Sequence, residues 1–237
     1  MTQREIARLI DHSLLHPALT DIEIRQGCEL ARRCEVKAVC VKPYAISVAK
    51  DILKGSPVAI CSVVGFPHGN SITMVKLRET QEALAAGAHE IDVVINIGKA
   101  KSGELEYVKE ELRAINRACQ RTAAPLKVIF ETDFLTDAEV VALCQVATDV
   151  NVAYVKTSTG FGFVKQPGGN HSCNGATEHH VKLMRQHCAS HIRIKASGGI
   201  RTLDDVLKFH ALGCSRVGTS ATEAILDEAK RRGDKEK

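Results

Sequence analysis

The fold is decided by a pattern that is clearest in the stretch Ala85-Ala86-Gly87-Ala88-His89-Glu90-Ile91-Asp92-Val93-Val94-Ile95-Asn96. A helical run ends at Gly87, because glycine readily adopts the left-handed backbone conformation that closes a helix. From Glu90 to Asn96 the apolar, mostly β-branched residues run nearly without alternation, which is typical of a strand buried on both faces of a parallel sheet. The stretch therefore predicts a helix, a glycine stop and a parallel strand in succession.

The same succession recurs along the whole chain. The apolar runs that predict strands are Val36–Val41, Val58–Val64, Glu90–Asn96, Leu126–Glu131, Ala153–Thr157, Ile192–Ala196 and Ser215–Gly218, with a shorter piece near Leu9–Leu15 as an eighth. Four of the helices between them begin with a capping box, in which a hydroxyl residue and an acid three positions later satisfy unpaired N–H groups reciprocally. The hydroxyl residues of these boxes are Thr20, Thr136, Thr202 and Ser220.

Eight repeats of strand and helix favour a closed (β/α)8 barrel, which is an α/β fold. A doubly wound open sheet is the alternative that the same pattern allows. The chain has 237 residues, close to the roughly 250 of one such barrel, and no low-complexity segment divides it. We therefore expect a single domain over residues 1–237. Residues 230–237 carry +3 of the formal charge of +4, so residues from about 228 to 237 are expected to form a disordered basic tail.

Composition argues against several classes of protein. No apolar run reaches the roughly 18 residues that a membrane span requires, and residues 1–10 contain no apolar signal core. Nine cysteines are scattered without a C-x-x-C pair, which predicts small buried side chains in a reducing cytoplasm. Aromatic residues make up 4% of the chain, and its body is nearly neutral, so we expect neither a nucleic-acid partner nor a membrane partner.

Two lysines close consecutive predicted strands, where the functional residues of this fold lie. Lys156 stands in Tyr154-Val155-Lys156-Thr157-Ser158-Thr159-Gly160, and Lys195 ends the next strand. Burial disfavours a charged lysine and leaves a nucleophilic amine, although a packed stem with its head in water is an equally open interpretation. Neighbouring strands are about 4.8 Å apart, so a cationic Lys195 would further favour a neutral Lys156.

Asp92 lies inside a β-branched run, where an acid is costly unless it is paired. The two lysines across the barrel would supply that partner. In the functional interpretation Asp92 shuttles protons for the lysine chemistry. In the alternative interpretation it belongs to a structural buried ion pair.

Glycine turns predict a separate phosphate site. Gly198 and Gly199 follow one strand, and Gly218 and Ser220 follow the next, just before a helix. Barrels often bind phosphate at the loops after their last two strands, through backbone N–H groups and a helix N-terminus. Gly160, which follows Lys156, could join the same cradle.

The histidines do not predict a metal site. His179 and His180 are adjacent, so we expect them to face different sides of a helix. Neither they nor His68 and His171 form an H-x-x-x-H ligand pair. We therefore expect no metal and no cofactor.

Across these motifs the sequence resembles the deoxyribose-phosphate aldolase family. The resemblance extends from Ile10-Asp11-His12 to about Ala224. Its most specific parts are Glu90–Val94, Tyr154–Gly160 and Lys195–Thr202. Several long motifs in the same order make a chance match very improbable.

The resemblance implies a (β/α)8 barrel and a metal-independent class I aldolase of deoxyribonucleotide catabolism. Such an enzyme reversibly cleaves 2-deoxy-D-ribose 5-phosphate to acetaldehyde and D-glyceraldehyde 3-phosphate. It implies that Lys156 forms the imine, that Lys195 keeps Lys156 neutral, and that Asp92 moves protons with a bound water.

The resemblance also implies the residues around this centre and the state of the protein. The glycine turns at Gly160, Gly198, Gly199 and Gly218, with Ser220, would hold the phosphate. Asp11, Cys40 and Lys127 would line the pocket. A cytoplasmic homo-oligomer, either a dimer or a tetramer, is expected.

Residues 161–175 depart from the resemblance, because a short glycine-rich link is extended here. The segment could form a lid in which Lys165 meets the phosphate or remains solvated. It motivates a second hypothesis, a related imine aldolase with another donor or acceptor aldehyde. A phosphate-metabolite binding barrel without activity is a third, which the combined presence of Asp92, Lys156 and Lys195 disfavours.

Overall fold

The computed structural model describes residues 1–166 and 168–235, and its main sheet closes on itself. The strands are β1 (Ile10–Leu14), β2 (Ala38–Val41), β3 (Ala59–Val64), β4 (Glu90–Val94), β5 (Leu126–Ile129), β6 (Tyr154–Lys156), β7 (Val164–Lys165), β8 (His171–Ser172), β9 (Arg193–Ser197) and β10 (Cys214–Thr219). The order around the barrel is β1-β10-β9-β6-β5-β4-β3-β2. Because β1 pairs in parallel with both β2 and β10, the open-sheet alternative is wrong and the predicted (β/α)8 barrel is confirmed.

One short helix precedes β1, and the other helices follow the barrel strands and cover them from outside. They are α1 (Gln3–Ala7), α2 (Asp21–Arg33), α3 (Ile46–Leu53), α4 (Thr73–Ala86), α5 (Ile97–Lys101), α6 (Leu105–Gln120), α7 (Asp137–Val150), α8 (Glu178–His187), α9 (Leu203–Ala211) and α10 (Thr222–Lys235). Two short 3-10 turns, Pro43–Ala45 and Thr132–Phe134, follow β2 and β5. The aliphatic residues of strands and helices form the main core between these layers.

The helix boundaries follow the predicted caps, with one exception. Thr20, Thr136 and Thr202 each form a complete capping box, and Gly87 ends α4 with φ 113°. The predicted cap at Ser220 is wrong. Helix α10 begins at Thr222, the N–H of Ala221 donates to Thr219 Oγ1, and the Glu223 carboxylate accepts from Arg33 instead.

The basic segment at the end of the chain also differs from its prediction. Residues 228–235 continue helix α10 rather than forming a disordered tail. Arg232 explains part of this, because its guanidinium pairs with Asp204 of α9 and with Glu228 one turn earlier. Residues 236 and 237, which also belong to that prediction, lie outside the described residues.

The extended segment after β6 contains a small hairpin. Strands β7 and β8 pair antiparallel, with Val164 opposite Ser172 and Lys165 opposite His171. This ribbon is separate from the barrel sheet.

Strand register decides which side chains enter the barrel. Asp92 of β4 is aligned with Lys127 of β5, and Lys156 of β6 is aligned with Lys195 of β9. Side chains alternate between the two faces of a strand, and aligned residues on neighbouring strands share a face. These four ionisable residues therefore all project to the inside of the barrel.

Candidate active site

Lys156 and Lys195 meet at one carboxylate oxygen. The Nζ atoms of both lysines donate to Asp92 Oδ2, each at 2.9 Å. Only 2% of the Lys156 surface is exposed, and the other two side chains are fully buried. The structure thus brings together the three residues that were predicted to carry the chemistry.

Asp92 also accepts hydrogen bonds on its other oxygen. Lys127 Nζ lies 2.7 Å and Cys61 Sγ 3.0 Å from Oδ1. Burial raises the pKa of the Asp92 carboxyl, but the lysines more than reverse this effect and hold it well below its ordinary value. Asp92 is therefore a carboxylate at neutral pH.

Two further carboxylates complete the buried network. Asp11 pairs with Lys195 and Arg216. Glu90 pairs with Lys127 and Arg216, and the N–O distance is 2.7 Å in each of these two pairs. Burial raises the pKa of Asp11, but Lys195, Lys127 and Arg216 together lower it to about 2. Asp11 and Lys127 were predicted to line the pocket, and the structure places both in this network with no exposed surface.

Burial does not neutralise Lys195 or Lys127, because neighbouring acidic groups favour the charged form of each. Burial lowers the pKa of Lys195, but Asp11 and Asp92 raise it well above its ordinary value. The pKa of Lys127 is likewise lowered by burial and raised further by Asp92, Cys61 and Glu90. The basic side chains around the three carboxylates are Lys127, Lys156, Lys195 and Arg216.

A small, mainly apolar cluster lies beside this network inside the barrel, since Ala38 is aligned with Asp11 and Val63 with Asp92. Its buried members are Leu15, Ala38, Cys40, Cys61 and Val63, and Phe66 and Phe161 pack against them. The two phenylalanine rings meet edge to face with centroids 5.6 Å apart. Cys40, which was predicted to line the pocket, lies at the border with the charged side, 3.5 Å from Lys195 Nζ.

Cys40, Cys61 and Asp92 bring ligand atoms within 4.8 Å of one another. Thiolates and carboxylates can bind a metal ion. Here, however, three lysine Nζ atoms already contact Asp92, so a cation at this position would have to displace them.

The predicted phosphate loops converge in part. A Cβ built on Gly160 would lie 3.8 Å from Gly198 Cα, and one on Gly198 would lie 2.8 Å from Gly175 Cα. The loops after β6 and β9 therefore touch through glycine backbone. Gly218 is equally close to its neighbours, because a Cβ there would lie 2.7 Å from Ser197 Oγ. Gly199 and Ser220 are exposed at the same end of the barrel.

Glu131 is a site residue that the sequence analysis missed. It follows β5 with a left-handed φ of 59° and is 1% exposed. Its carboxylate accepts from Ser158 Oγ at 2.6 Å, and from the backbone N–H and the hydroxyl of Thr159. Burial raises the pKa of Glu131, although these hydrogen bonds lower it in part. The sequence signal that could have identified Glu131 is a charged residue at the end of an apolar run, and the same signal pointed to Lys156.

Asp133 fixes the C-terminal end of the extended segment, residues 161–175. Its carboxylate accepts from the backbone N–H groups of Asn174 and Gly175, both at 2.9 Å. The loop after β5 thus secures the extended segment after β6 on both sides of the hairpin. Glu90 and Arg216 were also missed, and their signal was a charged residue within a predicted buried strand.

Comparison with known proteins places this geometry in a family. Residues 6–221 match the model described as DeoC/LacD family aldolase. The chain therefore belongs to this family of aldolases, and it is a lyase.

Particular relatives narrow the comparison. A deoxyribose-phosphate aldolase of Treponema denticola is 40% identical over 94% of this chain and 98% of its own length. The structure named QR15, an aldolase, has a TM-score of 0.88 at 34% identity and covers 98% of this chain and 99% of its own. The tetrameric deoxyribose phosphate aldolase of Aeropyrum pernix has a TM-score of 0.86 at 28% identity, with 97% and 92% covered. Within the described residues, none of the helices has the length and apolar character that crossing a membrane requires.

Proposed function

We propose that the chain is a deoxyribose-phosphate aldolase. It would reversibly cleave 2-deoxy-D-ribose 5-phosphate to acetaldehyde and D-glyceraldehyde 3-phosphate, without a metal or cofactor. The observation that carries the proposal is the contact of Lys156 and Lys195 with one oxygen of Asp92. The relatives that bear this activity in their names support the choice of substrate.

The reaction begins at Lys156. Its neutral Nζ attacks the aldehyde carbon, and loss of water from the carbinolamine gives an iminium. The C2–C3 bond then breaks, and its electron pair moves towards the cationic nitrogen to give an enamine. Loss of the C3 hydroxyl proton releases glyceraldehyde 3-phosphate. Protonation of the enamine at C2, followed by hydrolysis, releases acetaldehyde and restores the amine.

Charge balance supports Lys156 as the neutral amine. Four cationic side chains surround three carboxylates, so the buried cluster carries one surplus positive charge if every lysine is protonated. Lys127 and Lys195 each contact at least two carboxylates, whereas within the described residues Lys156 contacts Asp92 alone. An unbalanced buried charge is costly, and we assign the neutral amine to Lys156 because it has the fewest carboxylate partners of the three lysines.

Asp92 directs the proton transfers. Because its pKa lies well below its ordinary value, Asp92 is a weak base, and we assign it to hold a water that takes the hydroxyl proton and returns one to the enamine. Lys195 remains cationic between Asp92 and Asp11. We assign Asp11 and Lys127 the role of positioning Lys195 and Asp92, rather than that of binding the sugar. We assign Cys40 to the side of the pocket that holds the acetaldehyde part of the substrate.

The phosphate is assigned to the loop glycines Gly160, Gly198 and Gly199 and to Gly218 near the end of β10, with Ser220 at the approach to α10. Close contact of the loops after β6 and β9 supports this assignment, because backbone without side chains lets an anion approach N–H groups.

The assembly and the compartment complete the proposal. We assign the chain to a dimer or tetramer in the cytoplasm. The tetrameric Aeropyrum pernix relative supports an oligomer. All nine cysteines are free thiols, which is consistent with a reducing compartment.

Borohydride reduction with 2-deoxyribose 5-phosphate, followed by peptide mass mapping, tests the proposal. We expect the reduced adduct on Lys156 and its loss in Lys156→Ala. An adduct on Lys195 or Lys127 would refute the assignment. Saturable binding of the sugar phosphate without any adduct or turnover would favour a binding barrel.

The hairpin of β7 and β8 favours one alternative, an imine aldolase with a different donor or acceptor aldehyde. The ribbon follows directly on the loop that ends at Gly160, so it can alter access to the pocket. Turnover of 2-deoxyribose 5-phosphate should be compared with a panel of other aldehyde pairs. Faster turnover of another pair would favour this alternative, with the adduct still on Lys156.

A further inference from the structure

Asp137, His179 and His180 form a cluster where two helices begin on the outside of the barrel. Asp137 is the first residue of α7, and the histidines are the second and third residues of α8. One ligand atom from each residue lies within 4.8 Å of the other two. Residue spacing along one helix cannot reveal a ligand that comes from a different helix, so the sequence did not predict this cluster.

We propose that this cluster is a binding site for a divalent transition-metal ion of the Zn²⁺ or Ni²⁺ type. Imidazole nitrogens and a carboxylate oxygen are ligands that these ions accept. Ligand atoms around a tetrahedral zinc are separated by roughly 3.3 Å, as bond lengths of about 2.0 Å require. Small side-chain rotations therefore suffice to close the cluster around an ion, with water at the remaining position.

Existing hydrogen bonds orient the ligands. His179 Nε2 lies 2.8 Å from both carboxylate oxygens of Asp137. His180 Nδ1 lies 3.0 Å from Thr177 Oγ1, which also caps α8 by accepting from the His180 N–H. For His180, the partner on Nδ1 fixes the ring and leaves Nε2 for a metal, as is usual for metal-binding histidines. The contact between His179 and Asp137 places two ligand groups side by side, and a bound ion would replace that hydrogen bond.

The electrostatics of the cluster suit a cation. The carboxylates of Asp137 and Asp133 both act on His180 and favour positive charge there. The site therefore combines imidazole donors with two nearby negative charges.

A bound ion would join the beginnings of α7 and α8. These helices follow β5 and β6, whose loops carry Glu131, Asp133 and the segment after Lys156. The ion takes no part in the imine chemistry, and its effect is to tie the two βα units together.

Calorimetric titration with Zn²⁺ tests the site in four proteins: wild type, His179→Gln, His180→Gln and His187→Gln. His187 is the matched control, because it is an exposed histidine at the other end of α8. We expect one equivalent bound by wild type and the control, and binding at least about tenfold weaker in the two site variants. His179 is 62% exposed and His180 is half-buried, and neither belongs to the hydrophobic core.

Thermal unfolding gives a second readout that does not depend on activity. Zn²⁺ should raise the melting temperature of wild type and His187→Gln, because a ligand of the native state stabilises it, and should raise that of His180→Gln much less. The proposal is overturned if all four proteins bind Zn²⁺ equally, as they would if Cys40 and Cys61 held the ion. It is also overturned if wild type shows no saturable binding up to about 1 mM.

Discussion

The Glu131 carboxylate accepts hydrogen bonds from both the backbone N–H and the hydroxyl of Thr159. Thr159 is three residues beyond Lys156, on the loop that reaches Gly160. The acid thereby fixes the backbone that connects the proposed nucleophile to the proposed phosphate site.

Replacing Glu131 should therefore impair turnover without unfolding the protein. Glu131→Gln keeps the size and the left-handed backbone, but its amide NH₂ cannot accept from the donors of Ser158 and Thr159. We expect kcat/KM for 2-deoxyribose 5-phosphate to fall about 10²-fold, as small misplacements of reacting groups do. Glu106→Gln, at an exposed helical position, is the control for loss of an acid. Unchanged kinetics in Glu131→Gln would show that the loop keeps its shape without this carboxylate.

Arg216 should be essential for stability. It is 4% exposed and pairs with both Asp11 and Glu90. Arg216→Met leaves two buried carboxylates short of a partner, and we expect the free energy of unfolding to fall by about 3–5 kcal/mol. Urea denaturation measures this change. Arg232→Met, which breaks an exposed pair with Asp204, should move the midpoint far less. Equal effects of the two substitutions would contradict a tightly coupled buried network.

His12 should make stability depend on pH. Its ring is buried, Nδ1 lies 2.8 Å from Thr222 Oγ1, and burial lowers the pKa of His12 from 6.5 to about 4. The neutral ring is favoured in the folded state, so its contribution is present above pH 6.5. That contribution is lost as the pH falls towards 4, because the unfolded chain binds the proton first.

The expected loss over this window is about 3 kcal/mol, since each pKa unit corresponds to about 1.4 kcal/mol. Unfolding at several pH values between 4 and 6.5 measures the slope. His12→Asn should flatten it, whereas the exposed-site variant His191→Gln should not. A slope that persists in His12→Asn would assign the effect to other groups.

Gly198 should be needed for the phosphorylated substrate. Its φ is 91°, and an added Cβ would lie 2.8 Å from Gly175 Cα. Gly198→Ala therefore forces the loops after β6 and β9 apart, and we expect KM for 2-deoxyribose 5-phosphate to rise about tenfold or more. Turnover of unphosphorylated 2-deoxyribose should change much less.

Gly103→Ala is the control for backbone strain, because Gly103 has φ 76° but open space around it. If Gly198→Ala affected the two sugars equally, the glycine loops would not be the phosphate site.

The sequence predicted the barrel well because its signals are local. Each strand is a short apolar run, and glycine or a capping box marks the adjoining helix ends, as at Gly87 and Thr136. The meeting of Lys156 and Lys195 also followed from sequence, since the two lysines are aligned on consecutive barrel strands. Lys195 does not end its strand as predicted, because β9 continues to Ser197.

The missed features depend on contacts between distant segments. Ser220 looks like a cap, but the hydroxyl of Thr219 takes the N–H of Ala221. Arg232 lies in a basic segment, but Asp204 from another helix pairs with it. The cluster of Asp137 with His179 requires two helices to begin side by side, which spacing along one helix cannot indicate.

The anchoring of the extended segment by Glu131 and Asp133 has an evolutionary and practical consequence. Both ends are fixed to one neighbouring loop, so the intervening hairpin can gain or lose residues while the catalytic pocket keeps its shape. Variation there can therefore change access to the pocket without moving Lys156, and protein engineers can graft a foreign peptide between the same two anchors.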